Sequence, residues 1–280
     1  MLRQNRIGAL VVLMVLAVAS VGAKASDETK YPDWKGQWIR LGGIQWDPTK
    51  PLGRAEQPPL TAEYQAIFEA GLARQAAGGQ GNDPTYTCIP PGMPRTMTVV
   101  YPMEILVTPE TTYVMIEYAG QLRRIYTDGR DWPETLERSF IGYSIGKWID
   151  EDGDGRYDTL TVETRGMKGP RTFDASGIPL HGDNETVVKE RIFLDKTNPN
   201  VLHNMITVID HALTRPWTVD KTYRRNTNPR PPWREFYCIE GNVNIVIGKE
   251  NYFLSADGLL MPAKKEQAPP DLRYFPWVKK

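Results

Sequence analysis

The chain has 280 residues, 40% of them hydrophobic, with 34 Lys and Arg against 34 Asp and Glu. This balance lacks the basic excess of a nucleic-acid-binding surface, so no nucleic-acid partner is expected. The apolar content is ample for a folded core.

Residues 1–25 read as a secretory signal peptide. Arg3 and Arg6 form a positive start, 7–22 is an uncharged apolar run, and Ala23-Lys24-Ala25 places small residues at the cleavage motif. Cleavage is expected before Ser26, and the run is short for a bilayer span, which needs about 20 apolar residues. Removing this segment takes away Arg3, Arg6 and Lys24 and no acidic residue, leaving 31 basic against 34 acidic residues and a formal charge of −3. No later stretch is apolar enough to span a membrane. The expected location is the periplasm or the exterior.

Four regions follow: 1–25 as signal, 26–95 as an arm and helix, 96–240 as a β core, and 241–280 as a C-terminal arm. A first strand is expected at 37–41. Residues 61–77 form the one convincing helix. Tyr64, Ile67, Phe68 and Leu72 recur on one face, Thr61 can cap the start, and Gly78-Gly79 stops the pattern. The proline-rich run 79–95 reads as loop.

Strands are then expected at 97–101, 104–108, 111–118, 121–126, 141–148, 159–164, 186–194, 201–210, 217–224 and 235–238. They are rich in Val, Ile, Thr, Tyr and Trp and separated by turn signals, including a hairpin at Asp128-Gly129. No helix-length pattern interrupts 96–225, which favours antiparallel connections over βαβ units. The predicted class is mainly β: an antiparallel meander barrel or sandwich with one N-terminal helix and extended terminal arms. Residues 243–247 alternate like a strand, 250–260 reads as a short helix, and 267–276 as an extended arm.

Cys88 and Cys238 are the only cysteines, 150 positions apart. In an oxidising compartment the pair is expected to form a disulfide, with two buried thiols as the alternative.

The sharpest local pattern places Asp150, Asp152, Asp154 and Asp158 at positions 1, 3, 5 and 9 of a calcium-type loop, with Gly155 at position 6. Position 12 is Thr161 rather than a bidentate Glu, and the flanks read as strands. Calcium binding and a plain solvated turn both fit.

Glu190 shares parity with Val188 and Ile192, so it points to an apolar face and needs a partner or a neutral form. With His181 and Asp174 on the preceding loop it forms a candidate acid/base set. A structural pair with Arg191 or Arg124 is the competing explanation. Arg124, Tyr126 and Asp128 share one parity and suit a ligand carboxylate, or form a surface ladder. Arg191 is the fourth candidate ligand-binding residue. The three histidines, His181, His203 and His211, are not at zinc-motif spacing, so no zinc site is expected. Serine-hydrolase, Walker, dinucleotide and c-type haem motifs are absent from the sequence, leaving proton-transfer chemistry without a cofactor if the protein is an enzyme.

Several strings together carry a resemblance: Cys88-Ile-Pro-Pro-Gly-Met-Pro-Arg95, Arg124-Ile-Tyr-Thr-Asp-Gly-Arg130, Gly142-Tyr-Ser-Ile-Gly-Lys-Trp148, Asp158-Thr-Leu-Thr-Val-Glu-Thr164, Lys189-Glu-Arg191 and Thr214-Arg-Pro-Trp-Thr-Val219. Over 80–240 the chain resembles a large family of exported Gram-negative bacterial proteins that mostly carry no assigned activity. Their short Trp-x-Gly-Asp-Thr-Leu hairpin is lengthened here at 149–156, so the Asp-rich loop looks like an insertion. The strand meander is also similar to a lipocalin, which implies a small-molecule ligand. Three functions follow as expectations: a cofactor-free lyase, hydratase or isomerase, a non-catalytic carrier of a small, largely apolar molecule, and an envelope interaction protein.

Overall fold

A computed structural model describes residues 28–51, 57–235, 238, 244–254, 260–271 and 273. The signal segment and its cleavage site lie outside the described residues, as do 236 and 237 of the expected strand at 235–238. Among the described residues, no helix is long and apolar enough to cross a membrane.

The protein is mainly β. Nine strands close into one barrel: β1 (Gln37–Arg40), β2 (Met103–Val107), β3 (Thr111–Ile116), β4 (Gln121–Tyr126), β5 (Tyr143–Ile149), β6 (Thr159–Arg165), β7 (Val187–Leu194), β8 (Val201–Ile209) and β9 (Trp217–Arg225). Neighbours in sequence are neighbours in space, and β1 closes the ring by pairing with β9 as well as β2. Inward and outward residues alternate along each strand, so one parity builds the core. Leu160 and Val162 of β6, Val188 and Ile192 of β7, and Leu202 and Ile206 of β8 are all buried.

One junction departs from the expected meander. β4 and β5 run parallel, and their ladder consists of Ile125↔Ser144 and Tyr126↔Ile145 alone. A parallel pair needs a crossover of roughly a dozen residues or more, and 127–142 supplies it without a helix. The Asp128-Gly129 pair therefore opens this crossover rather than turning a hairpin.

The expected strand at 97–101 is also replaced. Arg95–Thr98 is a 3-10 turn in which all four residues are buried. The Thr98 hydroxyl donates to the Arg95 carbonyl at 2.8 Å. Arg95 is anchored at Asp83 (2.5 Å) and Thr172 (2.9 Å), and a side chain so tethered overrides the β preference of its neighbours.

Both barrel ends carry aromatic residues. At one end Tyr31 and Trp34 of the N-terminal arm pack on Trp148 of β5, with ring centroids 5.4 and 4.9 Å apart. At the other, Trp46 lies 5.1 Å from Phe173, and Phe173 lies 5.2 Å from Trp217. Buried Lys221 of β9 donates there to the Gln45 carbonyl at 2.8 Å and to the Trp46 carbonyl.

Helix α1 (Ala62–Ala76) starts where Thr61 accepts a hydrogen bond from the Tyr64 amide and ends at Gly78, whose φ is 86°. Phe68 is its deepest residue, while Ile67 of the expected face is exposed. A separate sheet joins β10 (Asn244–Ile247), β11 (Glu250–Leu254) and β12 (Leu260–Pro262). The short helix expected at 250–260 is therefore a strand at its start. Gly248, with φ 66°, allows the two-residue turn that pairs Ile247 with Glu250, and 255–259 lies outside the described residues.

Candidate functional site

Inside the barrel, β4 points Arg123 and Ile125 inward and β7 points Val188, Glu190 and Ile192 inward. Arg123 grips Glu190 with both guanidinium nitrogens, Nη1 to Oε1 at 2.9 Å and Nη2 to Oε2. Glu190 Oε1 also accepts from Asn204 Nδ2 at 2.9 Å. Arg123 further donates to Thr164 Oγ1 at 2.9 Å and Ser144 Oγ at 3.3 Å. Neither charged side chain has exposed surface. Burying two ions is costly unless their remaining hydrogen-bonding positions are filled, and here serine, threonine and asparagine fill them. Tyr223 belongs to the same interior. Burial pushes its phenol far above the ordinary range, Glu190's charge adds to the rise, and its hydroxyl donates to the Met97 carbonyl at 2.6 Å.

Glu190 is thus paired, as its parity demanded, but with Arg123 rather than Arg191 or Arg124. Those two have the opposite parity and face outward. Arg191 binds Glu151 at the foot of the Asp-rich loop, with Nε to Oε1 at 2.9 Å, and that bond lowers the Glu151 carboxyl pKa.

The three residues of the acid/base set are not brought together. Buried Asp174 ties two loops at one barrel end, accepting from the Trp46 amide at 2.7 Å and from the Ser176 amide and hydroxyl at 2.9 and 2.6 Å. His181 lies with Asp183 and His211 on the loops that flank β7 and β8. Among the described residues, none of the three shares a hydrogen-bond partner with another.

The short β4–β5 contact leaves a cleft of about 370 Å³ on the outer wall. Leu122, Arg124 and Tyr126 line one side, Phe140 and Tyr143 the other, with Pro90 at the edge. Arg124 is exposed, and its side chain makes no hydrogen bond or ion pair among the described residues. The Tyr126 and Tyr143 rings lie 4.9 Å apart, and the Arg130 guanidinium covers Tyr126 at 3.9 Å. Asp128 does not enter the cleft. It clamps Arg130 through Nε at 2.9 Å, and that bond holds its carboxyl down at about 2. A smaller apolar cleft of about 150 Å³ adjoins across Pro90-Pro91, lined by Ile44, Val99, Tyr101 and Tyr118. Of the four expected ligand residues, Arg124 and Tyr126 line the cleft, Asp128 positions it, and Arg191 is elsewhere. Phe140, Tyr143 and Pro90 were not foreseen, because a parallel junction across a 16-residue crossover leaves no local sequence pattern.

In the Asp-rich loop, Asp150, Asp152 and Asp158 offer oxygens within 4.8 Å of one another. Asp150 accepts from the Gly153 and Gly155 amides at 2.7 and 2.9 Å, and Asp154 from the Arg156 amide at 2.8 Å. Asp158 Oδ1 is buried without a hydrogen-bond partner among the described residues.

Cys88 and Cys238 form the expected disulfide, with Cα atoms 5.3 Å apart. No protein-family model matches the chain, and no curated protein matches it.

Proposed function

We propose that this protein is a non-catalytic binder of a small aromatic carboxylate, held in the cleft beside the β4–β5 junction. The observation that carries this is Arg124, a cation whose side chain has no partner among the described residues, next to Leu122, Tyr126, Phe140 and Tyr143. A guanidinium takes a carboxylate bidentately, and the two tyrosines give an aromatic body a stacking surface. Arg130 is already committed to Asp128 and to the Tyr126 ring, so it does not compete for the ligand. The acid/base reading would need Glu190 freed from Arg123, at the cost of a buried unpaired charge.

A thermal-shift and calorimetric screen with benzoate, cinnamate and indole carboxylates tests this. Binding that Arg124→Gln weakens supports the proposal. Absence of binding across the panel, or binding indifferent to Arg124→Gln, refutes it.

We also propose that the protein is exported and that the Asp150–Asp158 loop takes calcium. The disulfide suits an oxidising compartment, and the unpartnered Asp158 Oδ1 beside Asp150 and Asp152 suits a cation. The mature N-terminus, read by mass spectrometry, should be Ser26. Titration with calcium should release or absorb heat and raise the melting temperature. If wild type shows neither heat nor a raised melting temperature, the calcium reading fails.

A further inference from the structure

His181 and His211 are 30 positions apart, yet the β7–β8 ladder brings their loops to one barrel end, with Val187 opposite Ile209. Asp183 Oδ2 sits 2.9 Å from His181 Nδ1 and 2.5 Å from His211 Nδ1. The two imidazoles stand nearly perpendicular, 83° apart with centroids at 5.6 Å, and all three ligating atoms lie within 4.8 Å of one another. We propose that His181, Asp183 and His211 form a binding site for a divalent transition-metal ion, with zinc as its representative.

The donor atoms converge from two loops. His181 Nδ1 lies 3.1 Å from the Asp183 amide nitrogen and 2.9 Å from Asp183 Oδ2, so ring and carboxylate of one short segment face each other. A bound ion would replace the imidazole–carboxylate contacts with shared coordination, since metals are held by neutral imidazole and ionised carboxylate.

The donors are also held from behind. Buried Asp210 accepts through Oδ1 from the His181 amide and the Ala212 amide, each at 2.9 Å, so one carboxylate fixes both metal-bearing segments. Thr186 donates to its other oxygen at 2.5 Å. The Glu185 amide donates to Asp183 Oδ1 at 3.0 Å, which orients the carboxylate. The Tyr64 ring packs 5.1 Å from His181, and its hydroxyl accepts from the Gly182 amide at 3.3 Å. Such outer support is what tunes and preserves metal sites.

The donor set selects the ion. Two imidazole nitrogens and one carboxylate oxygen suit zinc, copper, nickel or ferrous iron, whereas calcium and magnesium prefer all-oxygen shells. Three protein ligands leave coordination positions free for water or a small anion. The His211 side chain is 69% exposed, so ions reach the site from solvent. The site is independent of the β4–β5 cleft and of the Asp-rich loop.

The test is calorimetric titration of untagged, chelator-stripped protein with zinc chloride, alongside the visible spectrum of added cobalt(II). One equivalent should bind, with a cobalt spectrum of nitrogen–oxygen coordination. His211→Ala and Asp183→Asn should each weaken zinc at least 100-fold while far-UV circular dichroism stays unchanged. His203→Ala, which alters the separate His203–Asp220 contact at 2.7 Å, should leave zinc affinity intact. The proposal fails if zinc gives neither heat nor a thermal shift. It fails equally if zinc binding survives both His211→Ala and Asp183→Asn, which would mean that the cluster is a hydrogen-bonded one only.

Discussion

Arg123 and Glu190 form a two-pronged ion pair across the barrel interior, from β4 to β7, with no exposed side-chain surface on either partner. They are 67 residues apart in sequence and belong to strands that do not neighbour each other. The pair therefore spans the lumen rather than decorating one wall.

Removing one member should be far worse than removing both. Arg123→Met or Glu190→Leu alone should each destabilise the fold by about 3–5 kcal/mol, because a lone buried charge is left behind. The double variant should recover much of that loss. Urea denaturation of the four proteins gives the coupling, and additive single effects would contradict a central pair.

Arg124→Ala should leave the melting temperature within about 1 °C of wild type, since surface changes away from structural features cost less than about 0.5 kcal/mol. Affinity for an aromatic carboxylate should fall at least tenfold, as expected for a lost charged hydrogen bond of about 1.5–3 kcal/mol. Isothermal calorimetry measures the change.

Asp128 should titrate near 2 in the folded protein, chiefly because Arg130's side chain bonds to it. In Arg130→Ala it should return toward about 3.9, the value of an unperturbed Asp. A depressed carboxylate stabilises the fold above its unfolded pKa, and that contribution disappears as pH falls from about 4 toward about 2. Carboxyl-carbon NMR across this acid range reads both inflections, and an unchanged value in the variant would break the assignment.

The Cys88–Cys238 disulfide closes a 150-residue separation around most of the barrel. Reduction, or Cys88→Ser with Cys238→Ser, should cost about 2–5 kcal/mol by releasing that constraint in the unfolded chain. Equal urea midpoints with and without reductant would show that the bond adds nothing.

Strand content was readable because inward and outward residues alternate. β4 through β9 fall within two residues of where Val, Ile, Thr and aromatic alternation places them, and the Thr61 cap and Gly78 stop bound α1. The same alternation showed that Glu190 needed a partner. The disulfide followed from cysteine count and compartment.

Three matters lay beyond any local pattern. Choosing Arg123 over Arg124 required knowing which face of β4 looks inward, which depends on its pairing with Val114 of β3 and on closure of the ring. The parallel β4–β5 contact, and with it the cleft, depends on how a 16-residue crossover travels. The meeting of His181, Asp183 and His211 depends on the register between β7 and β8. Alternation is a property of neighbouring residues and survives in one dimension. Register and ring closure bring together residues tens of positions apart, and only the folded chain sets those distances.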